Sequence, residues 1–262
     1  MVQWPDRYTI NTLDMLSDSW KEISFCSYDV VYHTAAIVHV KESSIDKYFR
    51  INRDLTLDVA KKAKTEGVKQ FVFLSTMGVY GLETGIVDQQ TDPDPKTPYA
   101  RSKLEAEYFL NELADERFRI TILRPPIVYG KGCRGNYPRL AGVVLKLPFF
   151  PNVNNERSMI YVDNLSEFVR LIIDSQKGGL FFPQNIDYVN TTELARQIVK
   201  VHGKQIITTN NLSLLVSLGM NFSTALTKVF GTFVYDKDLN GSPYEFDYQT
   251  CSFEESVKLT EI

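Results

Sequence analysis

The sequence has little cysteine, little net charge and no long apolar run. Its three cysteines, Cys26, Cys133 and Cys251, lie far apart without a C-x-x-C pair. This spacing predicts neither a metal site nor a disulfide framework, and it favours a reducing, cytoplasmic setting. With a net charge of −3, the chain has no excess of positive charge that would attract nucleic acid or an anionic membrane. We therefore expect neither as a partner. The apolar segments fall short of the roughly 18 residues of a bilayer span, so no transmembrane or export segment is expected.

What is present is the composition of a soluble globular protein, with 44% hydrophobic and 23% charged residues among 262. Short apolar runs alternate with helical patterns in the first half, which predicts a parallel sheet with helices on both faces. The predicted strands are YTINTL at 8–13, DVVYHTAA at 29–36, QFVFLST at 70–76 and RITILRPPIVY at 119–129. The fold class is therefore predicted to be α/β.

Two helices are predicted between these strands. The first runs from Ser44 to Glu66 and is followed by Gly67, a typical helix stop, while Asn52 is a polar residue on its apolar stripe. The second begins near Pro98. Beyond about residue 130 the loops become richer in Gly, Pro and Asn, so we predict a first domain at 1–132 and a second at 133–262, with helices near 164–175 and 192–202.

The segment YARSK carries the strongest chemical signal. Tyr99 and Lys103 are four residues apart, which places them on one helical face. A nearby ammonium would lower the pKa of a phenol from its usual value of about 10 and turn it into a general base. Ser75 and Thr76 follow an apolar strand, at the sheet edge where open α/β proteins bind ligands. A surface Tyr and Lys without a catalytic role remain the alternative.

With these motifs in this order, the chain resembles the extended short-chain dehydrogenase/reductase family, and within it the NAD-dependent epimerase/dehydratase group. The resemblance implies a Rossmann-like doubly wound parallel sheet and a smaller C-terminal substrate lobe, with part of 157–175 packing back on the first domain. It implies Thr76, Tyr99 and Lys103 as the catalytic residues. The implied NAD contacts are Asp14, Thr34, Ala35, Ala36, Asn52, Ser75, Tyr99, Lys103, Pro125 and Pro126. The implied substrate contacts are Thr76, Asn136 and Arg157 at the phosphates and sugar, and Phe150 at the base.

The resemblance further implies a nucleotide-sugar epimerase that oxidises a UDP-hexose reversibly at C4 through a 4-keto intermediate. Dehydratases of the family carry Asp and Glu after the catalytic threonine, whereas this chain has Met77 and Gly78, which argues against elimination of water. The Arg-Pro-Pro variant resembles a branch associated with surface-polysaccharide synthesis. The alternatives are a truncated or non-catalytic sugar-nucleotide-binding protein, and a reductase or dehydrogenase of the same family. The resemblance also allows a homodimer.

The sequence departs from the family pattern at its start. That pattern opens with a strand, a glycine-rich turn and a helix whose N-terminus holds the pyrophosphate of the dinucleotide. About 20 residues of this opening segment have no counterpart in the present sequence. A truncated sequence and a true short form are both open, and for the sequence as it stands we expect weak or no dinucleotide binding and marginal stability. The G-x-G-x-x-G at 130–135 is interpreted as a substrate-side loop, since it follows the YARSK helix. Asp14 would favour NAD over NADP, although it also fits the family's adenine-side loop.

Overall fold

A computed structural model describes residues 7–15, 17–38, 45–239 and 247–262. The chain divides into two compact units that alternate along the sequence. The first unit comprises 1–81, 93–124 and 170–181, and the second comprises 82–92, 125–169 and 182–262. Within the described ranges no helix is both long and apolar enough to cross a membrane.

The helices and strands are short and alternate along the chain. The α-helices are α1 Ile45–Tyr48, α2 Leu55–Thr65, α3 Pro98–Leu113, α4 Asn136–Val144, α5 Val162–Ser175, α6 Thr191–Val201, α7 Asn210–Met220, α8 Thr224–Phe230 and α9 Phe253–Glu261. A π-helical segment, Phe49–Asp54, joins α1 to α2, and 3₁₀ turns occupy Asp18–Glu22 and Met77–Tyr80. The strands are β1 Val30–His33, β2 Gln70–Leu74, β3 Gly85–Val87, β4 Arg119–Leu123, β5 Ile127–Tyr129, β6 Phe149–Pro151, β7 Met159–Tyr161, β8 Gly179–Phe181, β9 Ile207–Thr209 and β10 Phe233–Tyr235.

The first unit contains a four-stranded parallel sheet in the order β1-β2-β4-β8. On one face, Phe71 and Phe73 of β2 share a core with residues of α2 and α3 such as Val59 and Leu110. On the other face, Gln70 donates hydrogen bonds to the Thr121 hydroxyl and the Lys177 carbonyl, each at 3.0 Å. Both faces of β2 are therefore covered, which confirms the predicted α/β class with a parallel sheet.

Two of the four predicted strands are corrected by the structure. The segment 8–13 is not a strand in the described part of the chain; Ile10 is 74% exposed there. An extended segment becomes a strand only where a neighbour exchanges backbone hydrogen bonds with it, which an apolar run alone does not specify. The predicted strand 119–129 is two strands, β4 and β5, which belong to different sheets. Pro125 and Pro126 lie between them and lack the N–H groups that a continuous ladder requires.

The predicted helix from Ser44 to Glu66 is present as α1, the π-helical segment and α2, with Ser44 itself outside the described residues. Gly67 ends it in a left-handed conformation, with φ of 85°. The N–H of Val68 donates to the Ala63 carbonyl at 3.0 Å, and that of Gly67 donates to the Lys64 carbonyl at 3.2 Å. This is the Schellman arrangement that glycine favours after a helix, so the predicted helix stop is confirmed.

The second unit is built from three pairs of short parallel strands: β3 with β10, β5 with β7, and β6 with β9. Its helices pack on two apolar clusters. Tyr129, Met159 and Ile198 belong to the first cluster, and Val144, Phe150 and Phe230 belong to the second. The loops predicted after residue 130 thus connect short elements that surround a core of their own.

Candidate active site

Thr76 lies where β2 ends and a 3₁₀ turn begins. Its hydroxyl oxygen accepts a hydrogen bond of 3.0 Å from the N–H of Gly78, which leaves the hydroxyl proton available for donation. Tyr99 lies in the first turn of α3, whose start is fixed by Pro98 and by the Thr97 side chain, which accepts from the Ala100 N–H at 3.2 Å. A side-chain hydrogen bond between Thr76 and Tyr99 brings the predicted hydroxyl donor to the predicted base.

The pKa values of Tyr99 and Lys103 differ from the sequence-based expectation. Burial raises the pKa of Tyr99, and a hydrogen bond with Thr76 acts in the opposite direction. The Lys103 ammonium, 1% exposed, donates to the Leu74 carbonyl at 2.8 Å and lies 4.4 Å from the centroid of the Phe73 ring. Burial lowers the pKa of Lys103 to about 7. Helical spacing places the two side chains on one face, but burial rather than the Lys103 charge dominates the pKa of Tyr99.

Asn52 ties three segments of the first unit together. Its amide oxygen accepts from the Ile37 N–H at 2.8 Å, and its amide nitrogen donates to the Ile37 carbonyl at 3.0 Å and to the Ser102 hydroxyl at 3.1 Å. Ser102 in turn donates to the Tyr99 carbonyl at 2.8 Å. Asn52 is fully buried and lies in the π-helical segment, a distortion frequent at functional sites. It thus couples the chain after β1 to the first turn of α3.

Glu107 and Arg124 form a buried ion pair beside the same strand end, with side chains 3% and 7% exposed. The guanidinium donates from Nη2 to Oε2 at 2.5 Å, while Nη1 donates to the Tyr80 hydroxyl at 2.8 Å. Ser75, predicted to bind NAD, donates its hydroxyl to Glu107. The hydroxyl proton of Ser75 is therefore already used in the hydrogen bond to the Glu107 carboxylate.

The remaining predicted cofactor contacts belong to three separate segments of the sequence. Asp14 is exposed in the segment 7–15, which the structure does not assign to a strand. Thr34, Ala35 and Ala36 follow the carboxyl end of β1 in the first unit. Pro125 and Pro126 are buried in the second unit, between β4 and β5. Their contacts with NAD stay predictions.

The three predicted substrate contacts that lie in the second unit line one cavity of about 880 Å³: Asn136, Phe150 and Arg157. Their contacts with a substrate stay predictions. Asn136 opens α4, Phe150 belongs to β6, and Arg157 pairs through its backbone with Val189 and Phe233. The glycine-rich loop 130–135 leads directly into α4, and its interpretation as a substrate-side loop stays a prediction. The sequence prediction thus selected residues that share one concave site within this unit.

Sequence reasoning missed several residues of these networks. Glu107 continues the face of Tyr99 and Lys103 by a further four residues, so helical spacing could have found it. Ser102 left no signal, because its role depends on Asn52, fifty positions away in the sequence. Arg139 and Lys228 line the cavity with Arg157 but come from unrelated segments.

Comparisons with known proteins identify the family. The model of the NAD dependent epimerase/dehydratase family matches residues 3–181. A UDP-glucose 4-epimerase of Vibrio cholerae is 33% identical over 190 residues, which are 68% of this chain and 58% of the relative. An N-acetyl-alpha-D-glucosaminyl-diphospho-ditrans,octacis-undecaprenol 4-epimerase of Escherichia coli O157:H7 is 28% identical over 190 residues, 70% of this chain and 57% of the relative.

The chain thus spans little more than half the length of these relatives. Among solved structures, the UDP-glucuronic acid 4-epimerase of Bacillus cereus in complex with NAD superposes with a TM-score of 0.67 at 21% identity. That superposition covers 90% of this chain and 73% of the other. At this identity the likeness concerns the fold.

Proposed function

The chain belongs to the NAD-dependent epimerase/dehydratase family, and from that premise we propose that it epimerises a diphosphate-linked hexose, with a UDP-hexose as substrate and C4 as the reacting carbon. The observation that carries the proposal is the hydrogen bond between Tyr99 and Thr76, together with the buried Lys103 ammonium that donates to the Leu74 carbonyl two residues before Thr76. This is a proton acceptor, a hydroxyl donor and a cation at one strand end, the set that oxidation of an alcohol requires. The 4-epimerase names of relatives support the choice of carbon.

The donors in the first unit fit the nicotinamide-ribose half of NAD. An ammonium has three N–H donors, and within the described residues Lys103 uses one, toward the Leu74 carbonyl. Two donors of a buried cation are therefore left for ribose hydroxyls. Asn52 fixes the backbone at Ile37, just after the small residues Ala35 and Ala36, so a cofactor could approach this backbone closely.

When bound, NAD supplies reversible hydride transfer at the sugar carbon. In its phenolate form, which a protonated Lys103 would favour, Tyr99 takes the proton of the reacting hydroxyl and returns it after the sugar has presented its other face. The Thr76 hydroxyl oxygen accepts from the Gly78 N–H. Its proton is therefore available to the phenol oxygen of Tyr99 or to the reacting oxygen of the sugar. Lys103 supplies positive charge when protonated, and its pKa of about 7 places that charge under the control of pH near neutrality.

Dehydratase activity is less favoured than epimerase activity for this chain. Met77 is buried and Gly78 donates its N–H to Thr76, so neither position carries a carboxylate to move the protons of an elimination. A reductase is distinguished by net consumption of added NADH or NADPH. An epimerase regenerates its nicotinamide in each cycle and consumes none.

The test is replacement of Tyr99 by phenylalanine in the purified chain supplied with NAD and UDP-glucose or UDP-galactose. Loss of the general base should reduce kcat by about 10²-fold or more. Tyr108→Phe is the matched control, because Tyr108 is on the same helix and 57% exposed, and its activity should be unchanged. Undiminished turnover by Tyr99→Phe would refute the assignment.

A further inference from the structure

The segment that carries Thr76 is held at both of its ends by side chains of the first unit. Before Thr76, the Ser75 hydroxyl donates to the Glu107 carboxylate. After Thr76, the 3₁₀ turn ends at Tyr80, whose hydroxyl accepts from Arg124 Nη1 at 2.8 Å. The six residues from Ser75 to Tyr80 are therefore fixed at the strand end and at the end of the turn.

The two anchoring side chains bind each other. Glu107 and Arg124 form the buried ion pair, with 2.5 Å between Oε2 and Nη2. Ser75, Glu107, Arg124 and Tyr80 thus close a ring of contacts through the backbone of Thr76. The guanidinium carbon of Arg124 also lies 5.1 Å from the centroid of the Tyr80 ring, so packing supports the hydrogen bond. Buried polar networks of this kind rigidify the segments that they join.

The ring is attached to the helix that carries Tyr99. Glu107 follows Tyr99 by eight residues in α3, which is about 12 Å along the helix axis. Because both belong to one continuous helix, the position of Glu107 relative to Tyr99 is set by the helix itself. The contact between Ser75 and Glu107 therefore places Thr76 relative to the phenol, with which the Thr76 side chain forms a hydrogen bond.

Tyr80 is the point at which the ring can be opened by the smallest change. The residue is 4% exposed, and phenylalanine would keep its ring while losing the oxygen that accepts from Arg124. Without this acceptor the guanidinium no longer connects the end of the turn to Glu107. The turn then loses one of the two anchors that hold the Thr76 hydroxyl at the phenol.

We propose that Tyr80 is a positioning residue of the candidate active site, which acts through Arg124 and Glu107 to hold the Thr76 hydroxyl at Tyr99. The proposal rests on the proposed epimerase function for the use of this hydrogen bond in turnover. The hydroxyl of Tyr80 is already engaged by Arg124, so its effect on the reaction is exerted through Thr76.

The hydrogen bond itself is measured first, without cofactor or substrate. The full chain is labelled with ¹³C at the tyrosine Cζ, and the Tyr99 signal is identified by its loss in Tyr99→Phe. We expect Tyr80→Phe to move this signal toward its position in Thr76→Val, and to cause no further movement when Thr76→Val is already present. Tyr108→Phe is the matched control, an exposed position of α3 that should leave the signal in place.

Ser75→Ala opens the ring at its other end and should move the Tyr99 signal in the same direction. It is compared without NAD, because Ser75 is also a predicted NAD contact, and it carries the test should Tyr80→Phe fail to fold. Urea unfolding shows which chains are folded. A Tyr99 signal that stays in place in every folded ring variant would overturn the proposal.

Turnover of UDP-glucose with NAD supplies the second measurement. Tyr80→Phe should lower kcat about fivefold, the loss expected for one hydrogen bond, and leave KM within about twofold. This loss should vanish in the Thr76→Val background, since no hydroxyl is then left to position. An equal fold-loss in both backgrounds would indicate a merely structural residue and overturn the proposal. If the unaltered chain does not epimerise, the proposed function fails, whereas the Tyr99 signal still decides the positioning role.

Discussion

The buried pair of Glu107 and Arg124 gives a sharp stability prediction. Glu107→Gln keeps the size of the side chain and one acceptor oxygen but removes the negative charge. The Arg124 guanidinium then stays inside the first unit without its counterion, at 7% exposure. Because a buried unpaired charge is costly, the variant should unfold more easily.

The magnitude follows from the contacts that the charge maintains. Arg124 donates from Nε to Oε1 at 3.2 Å and to Oε2 at 3.1 Å, and from Nη2 to Oε2 at 2.5 Å. Removing one partner of such a pair costs about 3 to 5 kcal/mol. Since glutamine still accepts from Arg124 or Ser75, we expect a loss near the lower end, about 3 kcal/mol.

Urea unfolding followed by circular dichroism measures this loss. Glu112→Gln is the control, because Glu112 is exposed on the same helix and its replacement should change the free energy of unfolding by less than about 0.5 kcal/mol. Glu107→Leu combined with Arg124→Met removes both charges and should be more stable than the sum of its single changes predicts. A loss below about 1 kcal/mol for Glu107→Gln, or strict additivity in the double variant, would refute the reasoning.

Two further stability predictions concern Lys103 and Gly81. The pKa of Lys103 is about 7 in the fold and about 10.4 when unfolded, so between these pH values the unfolded chain binds the extra proton. The free energy of unfolding should therefore rise with pH in this window, by up to about 5 kcal/mol, and Lys103→Met should flatten the rise; equal pH slopes would contradict this. Gly81→Ala would place Cβ 1.9 Å from the Asp94 carbonyl oxygen at φ of 65°, whereas Gly67→Ala at φ of 85° meets nothing within 4 Å. Urea unfolding should show about 1 kcal/mol lost at Gly67 from backbone strain and at least twice that at Gly81; equal losses would exclude the steric explanation.

The sequence predicted best where one local pattern sufficed. An uninterrupted apolar run specified β2, and an apolar stripe followed by Gly67 specified the helix that ends at Thr65. The run at 8–13 has a similar composition, but a strand depends on a partner that composition does not identify. Pro125 and Pro126 were visible in the sequence, yet their consequence, two strands in two sheets, depends on where each strand finds a neighbour.

The candidate site shows the same limit. Tyr99 and Lys103 share a helical face by spacing alone, but their pKa values depend on burial, which spacing does not reveal. The cavity lined by Asn136, Phe150 and Arg157 became apparent only from the packing of the second unit.

Glu107 connects stability with chemistry on one face of α3. Its charge raises the pKa of Lys103, against the stronger lowering by burial. The same carboxylate accepts a hydrogen bond from the Ser75 hydroxyl and forms the ion pair with Arg124. Its replacement therefore changes the surroundings of Ser75, Arg124 and Lys103. Loss of its charge therefore lowers the pKa of Lys103 further and shifts protonation of that ammonium to lower pH. Glu107 acts on Lys103 through the electrostatic field, so the Glu107→Gln chain should lose the Lys103 charge at a lower pH than the unaltered chain.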